Sequence, residues 1–502
     1  MLDIFFYTKQ NAFIYRCINI LSIITTTMTI ISFSYFALID VKYGLVFGFL
    51  TIFVSTFLLI AAQVNLYGYK NFDLKKHKRI QDNYFKNGYN PSIDIFLPIC
   101  GEDLKILNNT WEGVSKIDYD NYNVYVLDDR ASEDAKALAE AYKFNYLSRP
   151  NRGEMKKAGN LKFGYENTNS EFIVVFDADF RPKPEFIKHL LPYTADEKVG
   201  IVQSPQAFDH DHNLHKKSML QYGAVTIQTF FYKIVQVSRA YFKGAICVGS
   251  NAIYRRSALQ KAGGFYQIEH SEDVWTGYNL VQNGYLIKYI PLILALGECP
   301  DNPYSFFKQQ TRWCQGSVTL ATSKMFWQAK VSWLSKMCYI SGFMFFLSSL
   351  ARFIIPFGGM YALYFYSHQF IDTIPLPFIF GLISVLIILP TYVYPNARLG
   401  TILAYNLSMW AYSFAIVKNF VFRKKERWVA TGGGAKQKDN SYNIMVSSVG
   451  IYTFVHFILL IFVLLSVSNP FNLIALSIIF WLVLNQMNQF LATGYLIYKM
   501  YN

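Results

Sequence analysis

Hydrophobic and polar positions follow two different patterns along this 502-residue chain. Long uncharged runs occupy Cys17–Ile39, Tyr43–Tyr67, Met337–Ala351 continuing past Arg352 to Tyr366, Ile374–Tyr394, Ile444–Val467 and Phe471–Tyr498. Each is long enough to cross a hydrocarbon core of about 30 Å as a helix, which takes roughly 20 residues. The first run exceeds the usual signal-peptide core of about 7 to 15 residues and no small-residue cleavage pattern follows it, so it reads as a retained anchor. Between the second and third runs, Lys70–Lys336 holds most of the acidic groups and all of the strand-like alternation.

Within that segment, "PSIDIFLPICGED" predicts a buried strand ending at Pro98, and "YNVYVLDDR" and "EFIVVFDADF" repeat the pattern of an apolar strand that ends in acids. Helical stretches are expected between them, at Asp103–Val114 and Glu133–Tyr142. Strand, helix, strand alternation argues a parallel sheet with helices on its faces. Such sheets bind ligands beyond the carboxyl ends of their strands, and those ends carry Asp128, Asp129, Asp177 and Asp179.

A further uncharged stretch, Leu399–Val417, is nearly as long as the predicted spans. If it crossed, the loop Arg423–Lys438, with Arg423, Lys424, Lys425, Arg427, Lys436 and Lys438, would move to the outer face, against the inward bias of positive charge. Arg398–Phe422 is therefore expected as a helix on the inner membrane surface, interrupted by Asn406, Ser408 and Ser413. The expected organisation is 1–69 as two membrane helices, 70–336 as a cytoplasmic domain and 337–397 as two further membrane helices. It continues with 398–443 as an interfacial helix and loop and 444–502 as two last membrane helices.

Composition agrees with a mixed protein: 53% hydrophobic and 18% aromatic residues are too many for one soluble domain and too few for an all-membrane chain. The net charge of +14 is concentrated beside the membrane, at "KNFDLKKHKR" and "FRKKERW", and no nucleic-acid motif is present, so nucleic acid is not an expected partner. The six cysteines form no CxxC pair and fit reduced thiols, not a disulfide framework or zinc site. His210, His212 and His215 in "DHDHNLH" match no common helical ligand spacing and read as a polar loop.

The acids carry the chemistry. Converging carboxylates at neighbouring strand ends repel unless a cation or bound donors compensate them. Asp177 and Asp179, one residue apart, would point to the same side of an extended backbone and could hold Mg²⁺ or Mn²⁺ against a diphosphate.

The ordered set Asp128-Asp129, Asp177-Ala178-Asp179, Ser271-Glu272-Asp273 and Gln309-Gln310-Thr311-Arg312-Trp313 resembles the D,D,D,QxxRW signature of processive family 2 glycosyltransferases. It is most like cellulose synthase catalytic subunits, then chitin and hyaluronan synthases, and it covers about Tyr89–Trp428. The resemblance implies a GT-A type α/β domain inserted between transmembrane helices. It implies Asp128 and Asp129 in the nucleotide pocket, Lys157 of "KAGNL" beside the donor diphosphate, Asp177 and Asp179 on the metal, and Asp273 as general base. Arg312 would face the leaving diphosphate, and Trp313 and Gln309 the acceptor sugar. Ser250 and Asn251 in "VGSN" resemble an acceptor-side region, although Val248 stands where that family often has Cys. In "RWVATGGGAKQK", Trp428 and Thr431 match a gating loop of the form FxVTxK; Gly433 replaces its lysine and Lys436 lies three residues on.

The implied activity is polymerisation of a β-linked glucan from UDP-glucose with passage of the product across the plasma membrane. Alternatives are a chitin- or hyaluronan-type synthase using UDP-N-acetylglucosamine, or a non-catalytic membrane scaffold or transporter with a relict domain. The implied partners are a UDP-sugar donor, the growing polysaccharide in a transmembrane channel and the lipid bilayer. The chain ends at Asn502 directly after its last run, so a C-terminal cyclic-dinucleotide module is not expected and an accessory subunit is one open route to regulation. Arg352, a charge inside an apolar run, is expected either to line the channel or to be structurally paired.

Overall fold

The computed structural model describes residues 12–68, 72–86, 88–208, 218–366, 398–420, 422, 440–467 and 473–501. The apolar segment Ile374–Tyr394, the three histidines of "DHDHNLH" and the glycine-rich loop with Trp428, Thr431 and Lys436 lie outside them.

The polar segment builds a seven-stranded sheet in the order β3-β2-β1-β4-β8-β6-β9. Its strands are β1 (Ile93–Ile99), β2 (Tyr122–Asp128), β3 (Asn145–Leu147), β4 (Phe172–Val175), β6 (Val199–Gln203), β8 (Ala252–Arg255) and β9 (Leu286–Tyr289). β1, β2, β3 and β4 are mutually parallel, as their run of buried β-branched and aromatic residues predicts. β8 runs antiparallel between β4 and β6, so the sheet is mixed but mostly parallel, in keeping with the expected α/β domain. A second, three-stranded sheet joins β5 (Phe180–Pro182), β10 (Ala295–Gly297) and β7 (Ala207–Phe208).

The two-residue period of β1 divides the core. Ile93, Ile95, Leu97 and Ile99 face one hydrophobic layer with Leu107 and Trp111 of helix Leu104–Val114, while Phe96 faces the other with Leu127, Leu161 and Val175. Pro98 pairs only with β2, because β4 has ended at Val175 by that level. A residue without an N–H is tolerated where the ladder stops. β1 and β4 part there, and because successive connections leave on opposite sides of β1, this is the switch point at which open α/β sheets form their crevice.

Four of the described helices are long and apolar enough to cross a membrane: Phe49–Gly68, Trp333–Tyr366, Asn440–Ser466 and Ala475–Met500. Helix Ala12–Ile39 carries a shorter apolar stretch, Asn19–Ile31. Arg352, inside Trp333–Tyr366, places its guanidinium 4.6 Å from the ring centroid of Tyr405, a cation–π contact to helix Leu399–Phe420.

Helix Leu399–Phe420 is covered on most sides by protein. It meets helix Met219–Phe230 of the polar domain backbone to backbone: a Cβ on Gly223 would sit 1.9 Å from the Gly400 carbonyl oxygen. It also packs on helix Pro303–Ala321, where Tyr412 donates a 2.6 Å hydrogen bond to Gln310. This helix ties the helices of the polar domain to those of the apolar half.

Candidate active site

The Asp177-Ala178-Asp179 segment follows β4 as a tight turn, in which the N–H of Phe180 donates to the Asp177 carbonyl at 3.1 Å. It is not the extended backbone expected from sequence, because the chain must reverse here to enter β5 in the second sheet. Two side chains pin the turn: Thr110 donates to the Ala178 carbonyl at 2.8 Å, and the Asp177 N–H donates to the Ser250 hydroxyl at 2.8 Å.

At Asp179, burial and then the neighbouring Asp177 charge push the carboxyl up to about 7; Arg312 acts in the opposite direction and Glu102 adds to the rise. The carboxylates of Asp177, Asp179 and Glu102 act on one another here, and such oxygen donors suit a hard divalent cation. Among the described residues no set of three His, Cys, Asp or Glu side chains has ligand geometry, so protein would supply Asp177 and Asp179 and leave the other positions to phosphate and water.

Lys157 sits at the start of helix Lys156–Glu166, entered through left-handed Met155 and Lys156. Its ammonium bonds Asp177, donates to the Gly249 carbonyl at 3.1 Å and stands 3.5 Å from Glu272. Asp273 lies in the first turn of helix Glu272–Gln282, on the other side of Gly249. Gly249 has φ +76°, and a Cβ there would lie 2.6 Å from the Asp273 Cβ, so only glycine lets the loop close over this carboxylate. Burial and then the Glu272 charge push Asp273 up to about 7, against the pull of Lys157. A carboxyl poised there can exchange a proton near neutrality.

Asp128, at the end of β2, is fully buried and accepts from the N–H of Arg130 at 2.7 Å, the N–H of Ser132 at 2.8 Å and the Tyr146 hydroxyl at 2.7 Å. It thereby shapes the rim of a cleft of about 720 Å³ lined by Gly101, Glu102, Asp128, Arg130, Ser132 and Asp134. Asp177, Asp179 and Asp273 are not in its lining. Asp129 is a different case: Arg149 grips both its oxygens, at 2.6 and 3.0 Å, and the Gly153 N–H adds a third bond at 3.1 Å. That carboxylate anchors the loop leading to Lys157.

Gln309, Arg312 and Trp313 lie on helix Pro303–Ala321, which Asn302 caps by accepting from the Ser305 N–H at 2.9 Å. Arg312 and Trp313 are half-buried. Gly316 brings this helix against the Ser271-Glu272-Asp273 turn: a Cβ at Gly316 would be 1.9 Å from the Ser271 hydroxyl oxygen, and Ser271 itself has φ +54°.

Asp177, Asp179, Lys157, Ser250, Asp273 and Arg312 are thus brought together, with Asp128 and Asp129 at the adjoining β2 end. Sequence reasoning missed Glu102, Arg149, Tyr146 and Glu272. Only Glu272 carried a signal, as the neighbour of Asp273 in "SED".

Similarity to known proteins was found at three levels. The Glycosyl transferase family 21 profile matches residues 56–379. Cellulose synthase 1 of Komagataeibacter xylinus is 28% identical over 291 residues, which is 57% of this chain and 19% of that protein. The cellulose synthase 1 catalytic subunit [UDP-forming] of the same organism is 27% identical over 290 residues, 57% of this chain and 39% of that one. The match therefore spans well under half the length of either relative. A solved mannosyltransferase, PcManGT from Pyrobaculum calidifontis in complex with GDP-Man and Mn²⁺, superposes with a TM-score of 0.49 at 16% identity, over 75% of this chain and 100% of its own. With the profile covering well over half of its length, the chain belongs to glycosyl transferase family 21 and is cellulose-synthase-like.

Proposed function

We propose that this protein is a processive inverting glycosyltransferase that builds a β-linked glucan, β-1,4 or mixed β-1,3/1,4, from UDP-glucose and passes it across the plasma membrane. The observation that carries this reading is the convergence of Asp177, Lys157 and Asp273 around Gly249, beside a helix bearing Arg312 and Trp313 that packs through Gly316 on the Ser271 turn and also on helix Leu399–Phe420. The basic clusters beside the apolar runs support a cytoplasmic catalytic domain, and the domain limits and six-span organisation derived from hydropathy are part of the proposal.

In this mechanism Asp273, deprotonated, takes the proton of the acceptor hydroxyl as its oxygen attacks the anomeric carbon. The bond to UDP breaks on the opposite face, and Lys157 and Arg312 stabilise the charge that gathers on the departing diphosphate. Asp128 and its loop hold the rim of the nucleotide cleft, with Asp129 fixing the loop to Lys157. Asp177 and Asp179 would hold Mg²⁺ or Mn²⁺, which when bound offsets diphosphate charge. Trp313, with Gln309, offers a ring face to the newly added sugar, and Ser250 and Asn251 border the acceptor side. The loop with Trp428, Thr431 and Lys436 is proposed as a lid over the nucleotide.

Incubation of purified protein with radiolabelled UDP-glucose and UDP-N-acetylglucosamine, followed by digestion with linkage-specific glucanases, tests the substrate and linkage. Glucanase-sensitive label from UDP-glucose alone is expected; label from UDP-N-acetylglucosamine alone would assign a chitin- or hyaluronan-type product instead.

A further inference from the structure

The loop Ile246–Asn251 touches both halves of the site, with Gly249 against Asp273 and Ser250 receiving the Asp177 N–H. With left-handed Gly249 and Asn251, the loop meets the end of β6 by backbone at Asn251, whose carbonyl accepts from the Ser204 N–H at 3.0 Å. Glutamine side chains hold Ile246 and Val248. Gln203 of β6 donates to the Ile246 carbonyl at 2.7 Å and accepts from the Val248 N–H at 3.1 Å, engaging residues two apart as a neighbouring strand would. Gln236 donates to the same Ile246 carbonyl at 2.7 Å and accepts from the Ile246 N–H at 3.0 Å. Gln206 donates to the Val248 carbonyl at 2.8 Å, and its own oxygen accepts from the Tyr232 hydroxyl at 3.1 Å.

Tyr232 and Gln236 belong to a π-helical segment, Phe231–Gln236, between helices Met219–Phe230 and Val237–Tyr241. A π turn rotates the following residues about the helix axis and breaks the usual ladder, and such segments recur at functional sites. Here Tyr289 donates to the Tyr232 carbonyl at 2.9 Å, which holds the turn in place. The helix that carries it is the one joined through Gly223 to Gly400 of helix Leu399–Phe420.

We infer that Gln206 and Tyr232 are positioning residues for sugar transfer. Through the chain from Tyr232 to Gln206 to the Val248 carbonyl, they fix loop Ile246–Asn251 and with it the spacing between Asp177 and Asp273. This rests on the roles proposed above for those two acids.

The test uses the full chain in detergent, with UDP-glucose as donor. Tyr232→Phe deletes only the hydroxyl. Gln206→Glu keeps an acceptor for Tyr232 and removes the donor to Val248. Each is expected to lower kcat about tenfold or more, because small misplacements of reacting groups are costly, with KM for donor and calorimetric UDP affinity within about twofold of wild type. Rates are expressed per UDP-binding site, so loss of folded protein does not count as loss of kcat. The double variant is expected to be no worse than about the poorer single one, as for two links of one chain. Unchanged kcat in an active background, a matching loss of UDP affinity, or multiplied losses in the double variant would each overturn the inference alone. A wild-type protein that binds UDP and transfers no sugar would overturn the functional reading, and this inference with it.

Discussion

The ammonium of Lys157 stands 3.5 Å from Glu272 while it bonds Asp177 and the Gly249 carbonyl, so one cation links the end of β4 to the helix that carries Asp273. Burial works against the charge of Lys157, but Asp177 and Glu272 outweigh it and hold its pKa above the ordinary range. The same charges act on Asp273 with opposite signs: Glu272 raises it and Lys157 lowers it.

That balance sets the pH response. Asp273 is pushed up to about 7, and a general base works deprotonated, so kcat/KM is expected to rise as pH increases through about 7. Glu272→Gln removes a raising charge and should move this limb to lower pH by roughly one unit, read from a pH–rate profile. Movement to higher pH would contradict the assignment of Asp273 as base.

Arg149 and Asp129 form a buried pair, with side chains only 1% and 4% exposed. Arg149→Met strands an uncompensated carboxylate and should destabilise the protein by about 3–5 kcal/mol, measured by denaturant unfolding. A loss below about 1 kcal/mol, as found for exposed pairs, would show that Asp129 does not depend on this partner.

Gly316→Ala forces a Cβ into the Ser271 side chain and should push helix Pro303–Ala321 away from Asp273. Transfer is expected to fall by up to about a hundredfold while UDP still binds. Wild-type kcat in this variant would mean that the contact does not set the site.

Trp313→Ala is expected to reduce polymer yield with little change in nucleotide affinity, since its proposed partner is the sugar. Undiminished polymer would leave the half-buried indole as a membrane-interface anchor.

What could be read in advance follows from the range of the forces involved. Helices Leu104–Val114 and Glu133–Ala141 fall within a residue of expectation because local periodicity and the caps Asp103 and Ser132 define them. The strands ending in acids were equally visible, since apolar alternation and polar strand ends are local. The reversal of β8 was not, because strand direction depends on the route of the chain between distant elements. Nor was the Arg149 grip on Asp129, or the glutamine contacts to Ile246 and Val248, since a buried polar side chain finds partners that sequence spacing does not reveal. The partner of helix Leu399–Phe420 was likewise not legible, since hydropathy does not say that Gly400 meets Gly223 of Met219–Phe230.

The most direct measurement compares wild type and Asp273→Asn for incorporation of radiolabelled glucose from UDP-glucose into polymer, with UDP binding followed in parallel by calorimetry. The account predicts polymer from wild type, none from Asp273→Asn, and UDP affinity in the variant within about threefold of wild type, because Asp273 acts on the acceptor and not on the nucleotide. Substantial polymer from Asp273→Asn would contradict it.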